Sequence, residues 1–159
     1  MLEIQDNASP VILKIVFLIV ILLSILSQSL CISRVSGISM LPTLKDNSIV
    51  ILSKSSKINR GDIVIFRGND YGIKSNVIKR VVALQGDRMT IRNNSLYING
   101  KLQDEPYLSN NTHTYGYVEL IVDRGTFFTL GDNREMSLDS REIGLIREKD
   151  VIAVMGVVI

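Results

Sequence analysis

Two hydrophobic patterns divide the chain. From Val11 to Ile32 it reads VILKIVFLIVILLSILSQSLCI, an almost unbroken apolar run whose one charge is Lys14. A helix over this run would rise about 33 Å, against roughly 30 Å for the hydrocarbon core of a bilayer. The run predicts a membrane anchor at 11–32, preceded by a short tail at 1–10 and followed by a domain at 33–159. The competing reading is a cleaved secretion signal, with Lys14 as positive flank, Ile15–Leu26 as apolar core and Ser27-Gln28-Ser29 as small residues for cleavage. Either way the rest of the chain is delivered across a membrane.

Beyond Ile32 the apolar stretches are short, rich in β-branched residues and separated by polar turn residues. They fall at Ser48–Leu52, Asp62–Phe66, Val77–Leu84, Val118–Val122, Thr126–Leu130 and Val151–Ile159. None has the length and 3.6-residue period of a substantial helix, so they predict strands. Met89–Arg92 and Ser95–Ile98 alternate on either side of Asn93-Asn94, a pair that tolerates positive φ and suits a tight hairpin. Asn99-Gly100 predicts another turn, and the polar Leu108–Tyr117 (LSNNTHTYGY) a mobile surface loop. The predicted architecture is a single transmembrane helix followed by a mostly β domain.

Composition adds exclusions. Hydrophobic residues make up 46% of the chain and the mean hydropathy is +0.24, but the excess sits in the first run. A net charge of +2 without a block of like charges gives no footprint for nucleic acid. One cysteine, Cys31, permits no internal disulfide, and neither it nor the one histidine belongs to a Cys/His cluster, so no metal or cofactor is expected. Leu30 before Cys31 is too large for a lipoprotein cleavage site. Charge does not orient the anchor: Glu3 and Asp6 precede it and Arg34 and Lys45 follow, a bias that long translocated domains override.

Three strings carry candidate chemistry. In Ser36–Leu44, Gly37 lies two residues before Ser39 and Pro42 three after it, an arrangement that can hold a serine at the edge of a groove or make an ordinary turn. Lys79-Arg80 interrupts an apolar strand, where adjacent side chains point to opposite faces and one must meet the core side. A buried lysine loses its proton readily. At a pKa near 10.4 about 1 in 2,500 is neutral at pH 7, whereas near 8 the fraction approaches a tenth. Two solvated cations on an edge strand are the alternative. Gly131–Arg141 (GDNREMSLDSR) can brace a neighbouring site or form a solvated loop. His113 lies in the polar loop, so a Ser-His-Asp triad is disfavoured and lysine is the best remaining base for Ser39.

In order along the chain, these strings resemble those of the type I signal peptidases, membrane-bound Ser-Lys proteases, in the short form typical of Gram-positive bacteria. GISMLPTL (Gly37–Leu44) looks like the nucleophile box, and Arg60–Val64 like a second conserved string. Ile78–Val82 with Gly86-Asp87 looks like the base-bearing box, and Gly131–Arg141 with Gly144 like the last. The hairpin Leu96–Lys101 and Asp104–Leu108 share the family's flavour. The resemblance implies a domain of coiled β-sheets with an extended groove, in which substrate adds as a strand. It implies Ser39 as nucleophile, Lys79 as general base and the Ser39 N–H as oxyanion donor. Ser137 would orient the lysine, and Asp139–Arg141 and Asp132–Arg80 would be supporting ion pairs. Met40, Leu44 and Ile78 would shape the pocket. Gly37 occupies the place where some members carry a second, hydroxyl oxyanion donor, and Ser36 is one residue too early to stand in.

The implied partners are secreted preproteins with Ala-x-Ala-like cleavage sites and the lipid bilayer, with the N-terminus cytoplasmic, the domain outside, and anchor and signal helix sharing one membrane. Rival readings are a catalytically silent, tethered β-domain that binds extended peptides, and other Ser-Lys processing proteases such as pilin-maturation peptidases. Self-cleaving repressors lack an anchor, and a histidine-based eukaryotic-type member conflicts with Lys79. Asn93-Asn94-Ser95 and Asn110-Asn111-Thr112 are glycosylation acceptors in form only.

Overall fold

The computed structural model describes residues 10–54, 57–110 and 112–158. Helix α1 (Pro10–Ser29) opens the chain. Its apolar side chains from Val11 to Leu22 stand 40% to 67% exposed, covered by no part of the domain. The side chains of 23–29 lie outside the described part, and among the described residues no helix is long and apolar enough to cross a membrane.

The helix does not continue to Ile32. Leu30–Arg34 is strand β1, paired residue for residue with β2 (Ile49–Ser53), from Leu30↔Ser53 to Arg34↔Ile49. Cys31 packs against the buried cluster of Val35, Met40, Leu44 and Val50. The last three residues of the apolar run, Leu30–Ile32, thus belong to a strand, because pairing with a distant strand overrides the apolar continuity of the sequence.

The domain is antiparallel β, as expected. The other strands are β3 (Ile63–Arg67), β4 (Asn76–Leu84), β5 (Arg88–Arg92), β6 (Ser95–Ile98), β7 (Lys101–Leu102), β8 (Val118–Ile121), β9 (Thr126–Leu130), β10 (Ile146–Arg147) and β11 (Val151–Val158). Seven form one sheet in the order β1-β2-β11-β3-β4-β9-β10, and four form another in the order β7-β6-β5-β8. The hairpin β5–β6 turns at Asn93 and Asn94 with φ of 49° and 60°, as the asparagine pair predicts. The described residues of 108–117 contain no regular element, yet Thr114 among them is 1% exposed.

β4 is the strand that positions the site. It pairs with β3 from Asn76 to Arg80 and with β9 only from Arg80 onward, so among the described residues no strand pairs with the other edge of Asn76–Lys79. Its burial runs almost unbroken from Val77 to Ala83, because other parts of the domain cover both faces. Lys79 and Arg80 point to opposite faces and both are buried, at 4% and 9% exposure. One cation of the pair meets the core side as the strand pattern requires, the other is buried as well, and the alternative of two solvated cations does not apply.

Candidate active site

The segment after β1 brings Ser39 against β4. Gly37 adopts φ of 96°, a left-handed conformation that strains a residue with a side chain, and its N–H donates to Asp46 Oδ1 at 2.8 Å. With that N–H already engaged, Gly37 is a shaping residue rather than a donor to substrate in this arrangement. From the other side, the turn after β9 holds the same segment. Asn133 N–H donates to the Ser39 carbonyl at 3.0 Å, and Asn133 Nδ2 to the Ile38 carbonyl at 3.1 Å.

Lys79 Nζ lies 2.8 Å from Ser39 Oγ and donates to the Ile78 carbonyl at 2.8 Å. Burial pushes its pKa from 10.5 down to about 8, and the negative charges of Asp139 and Asp132 hold it from falling further. These carboxylates are spent on other cations. Arg80 grips Asp132 with Nε on Oδ1 at 2.8 Å and a second nitrogen on Oδ2 at 2.6 Å, and it also reaches the Gly61 carbonyl. Thr43 Oγ1 donates to Asp132 Oδ2 at 2.5 Å. Arg141 pairs in the same two-pronged way with Asp139, at 2.8 and 2.9 Å. Asp139 accepts from the Gly131 N–H and caps the short helix α2 (Ser140–Ile143), whose Glu142 returns a bond to the Asp139 N–H. With both carboxylates so engaged, Lys79 gains no direct carboxylate partner and stays easy to deprotonate.

Three expected residues sit differently. Ser137 is beside the site, against Gly131, but its buried hydroxyl bonds no described group, so the expected bond to Lys79 is not formed here. Met40 and Leu44, at 1% and 0% exposure, belong to the core beneath the site, while Ile78 reaches the cleft. The reason is local: Met40 and Leu44 lie on the inner side of a turn closed by Leu44 N–H to the Met40 carbonyl at 2.8 Å.

That cleft, about 470 Å³, has Ser39 and Lys79 among its lining residues, with Val35, Ile65, Ile78 and Leu138 supplying apolar surface. Its walls are the segment 33–39 and the segment 73–79, which includes that edge of β4. A peptide laid between them would find unpaired main chain on the β4 side.

Sequence reasoning missed a further brace. Arg134, 1% exposed, donates to the Gly131 carbonyl, to Thr114 Oγ1 and to both carboxylate oxygens of Glu105. Tyr107, bonded to the same Glu105, lies 3.9 Å under the Arg80 guanidinium. Thr114 and Glu105 lie 20 and 29 residues from Arg134 in sequence, so no local pattern joins them. The missed signal at Gly131 is steric. A Cβ there would stand 2.5 Å from the Ser39 carbonyl oxygen and collide with Ser137. Gly131→Ala is expected to cost about 2–4 kcal/mol of stability. It should also lower kcat by at least tenfold, read by chemical denaturation and by substrate cleavage.

A family model described as signal peptidase, peptidase S26, matches residues 9–159. The chain is 36% identical over 139 residues to signal peptidase IB of Staphylococcus aureus, covering 74% of this chain and 71% of that protein. It is also 36% identical over 140 residues to signal peptidase I V of Bacillus subtilis, covering 77% and 82%. Among solved structures, a signal peptidase I from Enterococcus faecalis matches with a TM-score of 0.56 and 31% identity, over 63% of this chain and 97% of that one. The match takes in the Ser39 segment, β4 and the turn after β9 together, and with it this chain belongs to the signal peptidase family, peptidase S26.

Proposed function

We propose that the protein is a serine endopeptidase that removes signal peptides from preproteins, with Ser39 as nucleophile and Lys79 as general base. The observation that carries the reading is the 2.8 Å approach of a buried, carboxylate-free Lys79 to Ser39 Oγ beside an open cleft. Neutral Lys79 takes the Ser39 proton as Oγ attacks the scissile carbonyl, and returns it to the leaving amine. The Ser39 N–H has no acceptor among the described residues and is the fixed donor for the oxyanion. Asp132–Arg80 and Asp139–Arg141 act on the chemistry through position and field. Ser137 reaches Lys79 once the side chains settle around substrate. Val35, Ile65 and Ile78 narrow the cleft, which favours small side chains of the Ala-x-Ala kind.

In the same reading α1 anchors the enzyme as a single pass, N-terminus cytoplasmic, and the catalytic domain begins at β1, outside the membrane. The support for an anchor is the apolar run of the sequence from Val11 to Ile32, whose one charge is Lys14. The apolar side chains from Val11 to Leu22 that no part of the domain covers need an apolar solvent.

The experiment is cleavage of a preprotein with an Ala-x-Ala site in lipid vesicles by wild type and Ser39→Ala. Wild type is expected to cut after the second alanine, and Ser39→Ala to fall to background. Uncut preprotein with the wild-type enzyme would favour a silent peptide-binding domain instead. Cleavage by Ser39→Ala would remove Ser39 as nucleophile.

A further inference from the structure

Arg34 ends β1, the edge strand of the seven-stranded sheet, which pairs on one side only, with β2. Cys31 and Ser33 turn inward and Leu30, Ile32 and Arg34 outward, with Val35 buried immediately after. Arg34 thus borders the cleft while its side chain faces away from the core. Among the described residues the guanidinium has no ion pair or hydrogen bond. Arg34 and Lys79 are the charged residues of the cleft lining, and no carboxylate is among them.

A peptide added as a strand alternates its side chains between the cleft floor and the outside. Residues one and three before the cut would face the floor at Ile78 and Val35, leaving two and four outward. Arg34 lies five residues before Ser39 on one wall, and Ser75 four before Lys79 on the other. Counted along the extended β4 wall at about 3.3 Å per residue, and with the peptide entering from there, this end of the cleft lies roughly 13 Å upstream of the reacting carbonyl. The outward residue there is the fourth before the cut, and cross-strand neighbours on one face stand about 5 Å apart. The geometry points to Arg34 as a specificity-determining residue that reads charge at this position, accepting carboxylates and rejecting lysine and arginine. This rests on the peptidase reading above.

The test is a set of otherwise identical preproteins carrying Asp, Ser or Lys at the second or the fourth residue before the cut. Wild type, Arg34→Ala and Arg34→Glu are compared in vesicles at low salt. For wild type, kcat/KM is expected to fall about three- to tenfold from Asp to Lys at the fourth position, and less at the second. Arg34→Ala should flatten the series, Arg34→Glu should invert it, and added salt should shrink both effects. An unchanged order in Arg34→Glu, or an equal loss on every substrate, would overturn the assignment while leaving the peptidase intact. If wild type cut none of the set, the peptidase reading itself would fall, and this inference with it.

Discussion

Lys79→Met is expected to reduce cleavage to background and at the same time to make the domain more stable at neutral pH. The two effects share a cause. An ammonium taken from water into a site with no direct carboxylate partner is a cost that folding must offset, and burial accordingly lowers the Lys79 pKa from 10.5 to about 8. In the folded state Lys79 releases its proton near pH 8, whereas in the unfolded chain it holds it to about 10.5. Between these values the unfolded chain binds more protons, so stability rises with pH. Below about 8 both states are charged and the whole cost is present. Methionine matches the length of the stem without the charge, so the gain at pH 7 should be on the order of 2–3 kcal/mol, and the rise between pH 8 and 10.5 should vanish. Urea denaturation at several pH values reads both. Equal or lower stability of Lys79→Met at pH 7 would mean that the lysine is better compensated than its surroundings indicate.

Asp132→Ala should produce the largest loss of stability. Asp132 is 1% exposed and holds the buried Arg80 through two bonds and Thr43 through a third. Its removal leaves the guanidinium over the Tyr107 ring without its carboxylate, a loss that typically costs about 3–5 kcal/mol. The turn that carries Asn133 loosens with it, and Asn133 is what holds the Ile38 and Ser39 carbonyls. Asp132→Asn keeps the shape and some of the bonds, so it separates charge from architecture. Because the Asp132 charge holds the Lys79 pKa up, the amide should shift the rising limb of the cleavage profile below pH 8. A lower melting temperature for Asp132→Ala with an unshifted limb for Asp132→Asn would make the aspartate purely structural.

How much of this was legible in the sequence depends on how far each feature reaches along the chain. Alternation marked β5 and β6, a short apolar stretch marked β9, and the Asn93-Asn94 turn followed from the tolerance of asparagine for positive φ. β1 was hidden in the apolar run because nothing at Leu30–Ile32 announces a partner twenty residues away. Lys79-Arg80 signalled a strand with a buried cation, but not that both faces of β4 are covered. Two ion pairs stand beside the site, Asp139 with Arg141 inside the last box and Asp132 of that box with Arg80 of β4. The Glu105–Arg134–Thr114 brace, assembled from three loops, left no sequence pattern. Met40 and Leu44 show the limit of carrying roles by position: adjacency to the nucleophile does not say which way a side chain turns.

The central claim is that neutral Lys79 activates Ser39, and the most direct measurement is the pH dependence of kcat/KM for preprotein cleavage, which reports groups of the free enzyme. The account predicts a single rising limb with a midpoint near pH 8, above which the rate levels off. A rate that is flat from pH 6 to 10, or a midpoint at the ordinary lysine value near 10.5, would contradict it.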